Sequence, residues 1–216
     1  SFPRDLFIKK IFEAAKLDKN TFIISADFGA PALDLFREKL PKQFIHSGIS
    51  EQHMISMAAG MSLCGKKVYA YAMAPFVSLR CFEQIKGSLS LMNQPVTIIS
   101  VGVGVAYADS GPTHYTTEDI ACLRSLNSIE VLTPCDPEAS IEMANLTISK
   151  PALRYIRLDR EKQKPIYSGN FHMSIDQGMC ELYRGSNVCV ITSGYMMGRA
   201  ITARESLIKS GHNFFI

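Results

Sequence analysis

The stretch KKVYAYAMAPFVSLRCFEQIKGSLSLMNQPVTIISVGVG, residues 66–104, decides the fold. It opens with an apolar run at 66–73 and closes with another at 95–104, and both runs predict strands. The residues between them, 75–92, predict one helix that begins at Pro75, because proline fits the first turn of a helix. A strand, a helix and a second strand in succession predict a crossover unit with parallel strands.

The same alternation extends to both sides of this unit. TFIISADF (21–28) and PALRYIRLD (151–159) predict further apolar strands, and PRDLFIKKIFEAAKLD (3–18) and PEASIEMANLTIS (137–149) predict helices. Strands that are apolar throughout and rich in Val and Ile are typical of a parallel sheet covered on both faces. The predicted fold class is therefore α/β, a doubly wound parallel sheet with helices on both faces.

The alternation is interrupted after residue 160. We expect a first domain at 1–160, a polar linker with Gly and Pro at 161–185, and part of a second α/β domain at 186–216. The last segment predicts a strand, a helix and the start of another strand, which cannot bury their faces alone. We therefore expect a fragment of a longer chain, with a truncated second domain.

The composition is that of an ordinary globular protein. Hydrophobic residues make up 47% and charged residues 20%. The net charge is +3, and the Lys and Arg residues are scattered and form no basic stripe of the kind that binds nucleic acid. No apolar run is long enough for a membrane span. The six cysteines form no CxxC pair, which favours reduced thiols over a zinc or disulfide framework. We expect a cytoplasmic protein with no nucleic-acid or membrane partner.

One acid opens an apolar helix in GISEQHMISMAAGMSLCG, residues 48–65. Ser50 can cap this helix, and the helix dipole favours Glu51 in its first turn. Residues 57–61 offer almost no polar side chain, so the helix is predicted to be buried nearly all round. A buried carboxylate needs a partner or carries a desolvation cost, which makes Glu51 a candidate for proton transfer as well as a structural acid.

Two further positions suit either a site or ordinary structure. His114 ends SGPTH (110–114), a rigid turn after an apolar strand, and open α/β sheets bind ligands at the carboxyl ends of their strands. Phe76 lies in the first turn of the helix predicted after another strand, where an aromatic ring packs in a core or stacks on a planar ligand. VGVGVA (101–106) lacks the third glycine of a dinucleotide loop, which argues against that function.

The order of the motifs resembles the transketolase-like thiamine-diphosphate enzymes. The resemblance covers their pyrimidine-binding domain and the start of their C-terminal domain, and thus essentially the whole chain. It rests on SGISEQHMISMAAGMSLCG (47–65), YAMAPFVSLRCFEQI (71–85), DSGPTH (109–114), VLTPCDPEA (131–139) and ALRYIRLDR (152–160).

The resemblance implies a cofactor site. In the family, the glutamate that matches Glu51 hydrogen-bonds N1′ of the aminopyrimidine and favours its imino tautomer. The imino nitrogen removes the thiazolium C2 proton, and the resulting ylid attacks the carbonyl of a ketose or 2-oxo acid. Phe76 matches the aromatic that stacks on the pyrimidine, and Asp27 an acid near the cofactor at the subunit interface. Met73 and Leu79 fall where transketolase has further aromatics, which implies a less aromatic pocket.

The substrate side differs more from the family. His114 matches a catalytic histidine that contacts the substrate, and Arg157 an arginine for a substrate phosphate. Ser110 replaces an aspartate that binds a sugar hydroxyl, and Gly102 replaces an upstream histidine. The implied activity is transfer of a two-carbon ketol unit between sugar-like substrates, on a donor or acceptor that the sequence does not identify.

The family holds the diphosphate and Mg²⁺ with a GDG motif in a separate domain, and this sequence contains no GDG. The resemblance therefore implies a diphosphate-binding N-terminal subunit or domain as partner, in a homodimer or heterotetramer, and no metal ligand in this chain. Alternatives are a 2-oxoacid dehydrogenase E1 β-type subunit, a deoxyxylulose-phosphate synthase-type subunit, a non-catalytic assembly subunit or a generic nucleotide binder. GPTH favours transketolase and the synthase over the E1 β group.

Overall fold

A six-stranded parallel sheet organises the computed structural model, which describes residues 1–26, 29–166, 178–186, 188–211 and 214–216. The spatial order β2-β1-β3-β4-β6-β5 extends from β1 in both directions, so the carboxyl ends of β1 and β3 flank a topological switch point. The strands are β1 (Thr21–Ala26), β2 (Phe44–Gly48), β3 (Lys67–Met73), β4 (Thr97–Val101), β5 (Glu130–Leu132) and β6 (Arg154–Leu158).

Helices cover both faces of this sheet, which confirms the predicted fold class. Alternate strand residues enter two hydrophobic clusters; Ile24 packs on the face of α3, and Ile23 packs on the face of α1 and α7. The helices are α1 (Pro3–Leu17), α2 (Asp34–Lys39), α3 (Glu51–Leu63), α4 (Ala74–Val77), α5 (Phe82–Gln84), α6 (Asp119–Arg124) and α7 (Pro137–Ser149).

The single helix predicted at 75–92 is wrong. Helix α4 ends at Val77, a turn follows, and α5 continues into a π-helical turn at Ile85–Ser90. The hydroxyl of Ser78 donates to the carbonyl of Ala74, a competing bond that is known to bend helices. The backbone N–H of Arg80 then reaches the carbonyl of Pro75 at 3.2 Å, one residue farther back than in an α-helix.

Helix α3 is buried on one side only, so the prediction of nearly complete burial is wrong. Met54, Ile55 and Ala58 face the sheet, whereas Gln52 and His53 are exposed. The apolar composition of α3 therefore exceeds what its packing within this chain requires. Ser50 precedes the helix but does not cap it, because its hydroxyl donates to the carbonyl of Ser47.

Beyond the sheet, β7 (Val188–Cys189) and β8 (Phe214–Phe215) pair in parallel, with α8 (Met196–Lys209) between them in the chain. This order agrees with the predicted strand, helix and strand. Residues 167–177 of the predicted linker lie outside the described residues, and the domain bounds at 160 and 185 stay predictions. Among the described helices, none is long and apolar enough to cross a membrane.

Candidate active site

The predicted site residues gather at the carboxyl edge of the sheet. Glu51 follows β2 at the start of α3, Phe76 lies in α4 after β3, and His114 ends a 3-10 turn after β4. Since the strands are parallel, their carboxyl ends share this edge. Asp27 lies outside the described residues, so its place near the cofactor stays a prediction.

Glu51 is buried and has a cationic partner. The residue is only 6% exposed, and its Oε2 accepts a hydrogen bond from Nη1 of Arg80 at 2.9 Å. The arginine side chain is 44% exposed, so the pair joins a buried anion to a cation that reaches solvent. The pair neutralises a charge that would otherwise carry a large desolvation cost at this depth.

The ring of Phe76 connects Arg80 to His114. The guanidinium carbon of Arg80 lies 4.2 Å from the centroid of the half-buried phenyl ring, a cation–π contact. The imidazole of His114 meets the same ring edge-on, with centroids 5.3 Å apart. A carboxylate, a planar cation, a phenyl ring and an imidazole therefore follow one another across the site.

The loop after β4 is shaped around a glycine and a tyrosine. Gly102 has a φ of +77°, and a Cβ there would lie 1.9 Å from Cε2 of Tyr107, so the tyrosine ring fills the space beside it. The backbone groups of Gly104 and Thr116 bond to each other in both directions, which closes the loop. Tyr107 lies 6.5 Å from His114 between ring centroids, and burial raises the pKa of its hydroxyl, which stays protonated at neutral pH.

Three other predicted residues line the same edge. Met73 is the last residue of β3 and Leu79 lies in the turn after α4, both half-buried. Ser110 is exposed at the end of the 3-10 turn Ala108–Ser110. Their roles toward cofactor and substrate stay predictions.

Arg157, the predicted phosphate ligand, is held by a buried acid. Its Nε donates to Oδ2 of Asp119 at 2.8 Å and its Nη2 to Oδ1 at 3.3 Å, and Asp119 is fully buried. The hydroxyl of Tyr155 donates to the same Oδ2 at 2.8 Å. This pairing uses the Nε–H and one Nη2–H of Arg157, and the role of Arg157 toward a substrate phosphate stays a prediction.

Sequence reasoning missed Arg80, Tyr107 and Arg160. The guanidinium carbon of Arg160 lies 4.7 Å from the centroid of the Tyr107 ring, and its Nη1 donates to the carbonyl of Ala106 at 3.2 Å. A signal for Arg80 existed, because it follows Phe76 by four residues and the predicted helix places both on one face. The contact between Arg160 and Tyr107 joins a residue just beyond β6 to the loop after β4, and no sequence pattern indicates it.

Within the described residues, no three His, Cys, Asp or Glu side chains are grouped as a metal site would need.

Comparison with known proteins places this site in a family context. Residues 4–165 match the family model described as "Transketolase, pyrimidine binding domain". One subunit of the apulose-4-phosphate transketolase of Phocaeicola vulgatus is 30% identical over 209 residues, 96% of this chain and 67% of the relative. The 6-deoxy-6-sulfo-D-fructose transketolase subunit SqwH of a Clostridium species is 27% identical over 210 residues, 96% of this chain and 65% of the relative.

A solved structure agrees with these relatives. The protein described as "Split gene transketolase, inactive beta4 tetramer" matches with a TM-score of 0.86 at 25% identity, over 99% of this chain and 70% of its own. The chain spans about two-thirds of the length of these two curated relatives.

Proposed function

The chain belongs to the family of transketolase pyrimidine-binding domains, and we propose that it supplies the pyrimidine side of a thiamine diphosphate site. The enzyme is of the transketolase type and transfers a two-carbon ketol unit between sugar-like substrates. One observation carries the proposal: the buried carboxylate of Glu51 and the half-buried ring of Phe76 contact the same planar group, the guanidinium of Arg80.

The residues present fit an aminopyrimidine ring. The guanidinium of Arg80 is flat and bears N–H donors, and it contacts both Glu51 and Phe76. A flat group with N–H donors therefore lies against both the carboxylate and the phenyl ring, and an aminopyrimidine is also flat and carries N–H donors. Met73 and Leu79 are assigned to the rim of this pocket.

Glu51 would hold a proton at a ring nitrogen of the bound cofactor. Burial at the first turn of α3 strengthens such a hydrogen bond, because little water screens it. Phe76 would fix the plane of the ring by stacking. Bound thiamine diphosphate supplies the electron sink through which a ketol unit leaves one sugar and joins another.

His114 would orient the substrate beside the cofactor. Its Nδ1 lies 3.0 Å from the hydroxyl of Thr113, so we assign Nε2 to a substrate hydroxyl. Ser110, exposed on the turn before, is assigned to the same substrate. The ring of Tyr107 fills the space at Gly102, where transketolase has a histidine. This difference favours a substrate that differs from the transketolase substrate in the part that lies near residue 102.

A partner completes the site in this proposal. A diphosphate-binding subunit or domain would hold the diphosphate and Mg²⁺, in a homodimer or heterotetramer that acts in cytoplasmic carbohydrate metabolism. Support comes from relatives described as transketolase subunits and from a neighbour described as a split gene transketolase. These transketolase relatives favour this function over the E1 β and synthase alternatives, and the retained Glu51 argues against a non-catalytic assembly subunit.

Glu51→Gln in the complex of the full-length chain with its partner tests the proposal. We expect ketol transfer to slow by at least about 100-fold, the scale of a positioned acid–base group, while the complex still assembles. Glu138→Gln is the matched control, since Glu138 is an exposed acid in the first turn of α7, a helix of the same 13-residue length as α3. Equal rates for the two variants would reject the role of Glu51.

A further inference from the structure

Arg80 bridges the two residues that we assign to the cofactor ring. Its Nη1 lies 2.9 Å from Oε2 of Glu51, and its guanidinium carbon lies 4.2 Å from the centroid of Phe76. A guanidinium is flat, offers only donors and stacks on aromatic faces. It therefore makes the two contacts that a bound aminopyrimidine needs, a hydrogen bond to the carboxylate and a face on the ring.

We infer that Arg80 is a placeholder: it closes the pyrimidine site while the cofactor is absent, and it must move aside when the cofactor binds. This inference rests on the proposed function. In this inference the aminopyrimidine takes the same carboxylate oxygen, Oε2, and the same side of the Phe76 ring that Arg80 occupies, so the two groups exclude each other. Arg80 therefore competes with the cofactor and sets its affinity.

The position of Arg80 in the chain allows this exchange. The residue lies in the turn between α4 and α5, and its side chain is 44% exposed. It can rotate into solvent without opening a helix or the sheet. The carboxylate of Glu51, by contrast, is fixed at the start of α3 with its side chain 7% exposed.

The exchange also explains how the cofactor-free chain tolerates a buried acid. Without Arg80, the carboxylate of Glu51 would be an unpaired buried charge, which is strongly destabilising. With Arg80 in place, the charge is neutralised until another donor arrives. The cofactor then replaces one hydrogen bond to Glu51 and one stacked partner of Phe76 with its own.

Arg80→Met tests the placeholder, because methionine keeps an apolar stem and removes the guanidinium. We expect the Kd for thiamine diphosphate of the full-length complex, measured by calorimetry with Mg²⁺, to fall roughly 3- to 30-fold. The cofactor-free chain should melt at a lower temperature than the wild type. Lys86→Met is the matched control: it removes one positive charge from an exposed position nearby and should not tighten binding.

A double-mutant cycle on the melting of the cofactor-free chain gives a second readout. Glu51→Gln and Arg80→Met should be strongly coupled, since each removes the partner of the other. Additive effects would overturn the placeholder and leave the proposed function intact, as would an unchanged or larger Kd for Arg80→Met. If neither the wild-type complex nor Arg80→Met binds thiamine diphosphate, both the proposed function and the placeholder are rejected.

Discussion

Asp119→Asn should destabilise the chain strongly, because it removes the charge that neutralises Arg157 inside the protein. Asp119 is fully buried, and the side chain of Arg157 is 11% exposed. Asparagine keeps the size of aspartate but offers one acceptor oxygen where three donor groups now converge, two from Arg157 and one from Tyr155. The variant therefore leaves a buried cation without its counter-ion.

The magnitude follows from this geometry. Removing one partner of a buried ion pair costs about 3–5 kcal/mol. With a urea dependence of about 2 kcal/mol per M, the unfolding midpoint should fall by about 1.5–2.5 M. A loss of this size is a large part of the total stability of a domain, about 5–15 kcal/mol.

Urea unfolding of the full-length chain, followed by circular dichroism, measures this shift. Asp109→Asn is the control, since the Asp109 side chain is 75% exposed and lies 3.5 Å from Arg160, and it should leave the midpoint unchanged. Replacing both charges, Asp119→Leu with Arg157→Met, should recover part of the loss, because the hydroxyl of Tyr155 still loses its acceptor. A shift below about 0.5 M for Asp119→Asn would refute the reasoning that Asp119 and Arg157 form a buried ion pair on which stability depends.

Gly102→Ala should lower the melting temperature more than Gly104→Ala. Both positions have positive φ, but a Cβ at 102 would overlap the ring of Tyr107, whereas a Cβ at 104 meets nothing within 4 Å. Equal shifts in melting temperature for the two variants would show that the ring does not occupy that space. Cys81 should resist iodoacetamide at about pH 8 while the exposed Cys64 reacts, because burial raises the pKa of the Cys81 thiol to about 12. Mass spectrometry of the native chain checks this, and equal labelling of the two thiols would contradict it.

The sheet could be predicted because its strands are apolar on both faces. In β1, Ile23 and Ile24 point to opposite sides and are both fully buried, which requires helices on both faces and favours parallel pairing. That one property, visible in the sequence, determined the fold class. The parallel pairing that it favours also brings Glu51 and His114 to one edge of the sheet, since the carboxyl ends of parallel strands lie together.

Of the details that escaped prediction, one is local and the others depend on contacts between distant segments. The break after Val77 lies beside a side-chain bond of Ser78 to the carbonyl of Ala74, in a segment whose apolar spacing suits a continuous helix. The apolar composition of α3 overestimates its burial, because composition does not reveal which surfaces the rest of the chain covers. The pairing of Glu51 with Arg80 joins two elements 29 residues apart, which local periodicity cannot predict.

We propose that this chain holds only the pyrimidine side of a shared cofactor site. Calorimetric titration of thiamine diphosphate, with Mg²⁺, into the full-length chain, into its diphosphate-binding partner and into their mixture tests it most directly. We predict saturable binding by the mixture that far exceeds binding by either protein alone, and its loss with Glu51→Ala. Equally tight binding by this chain alone, or no binding by the mixture, would contradict the claim.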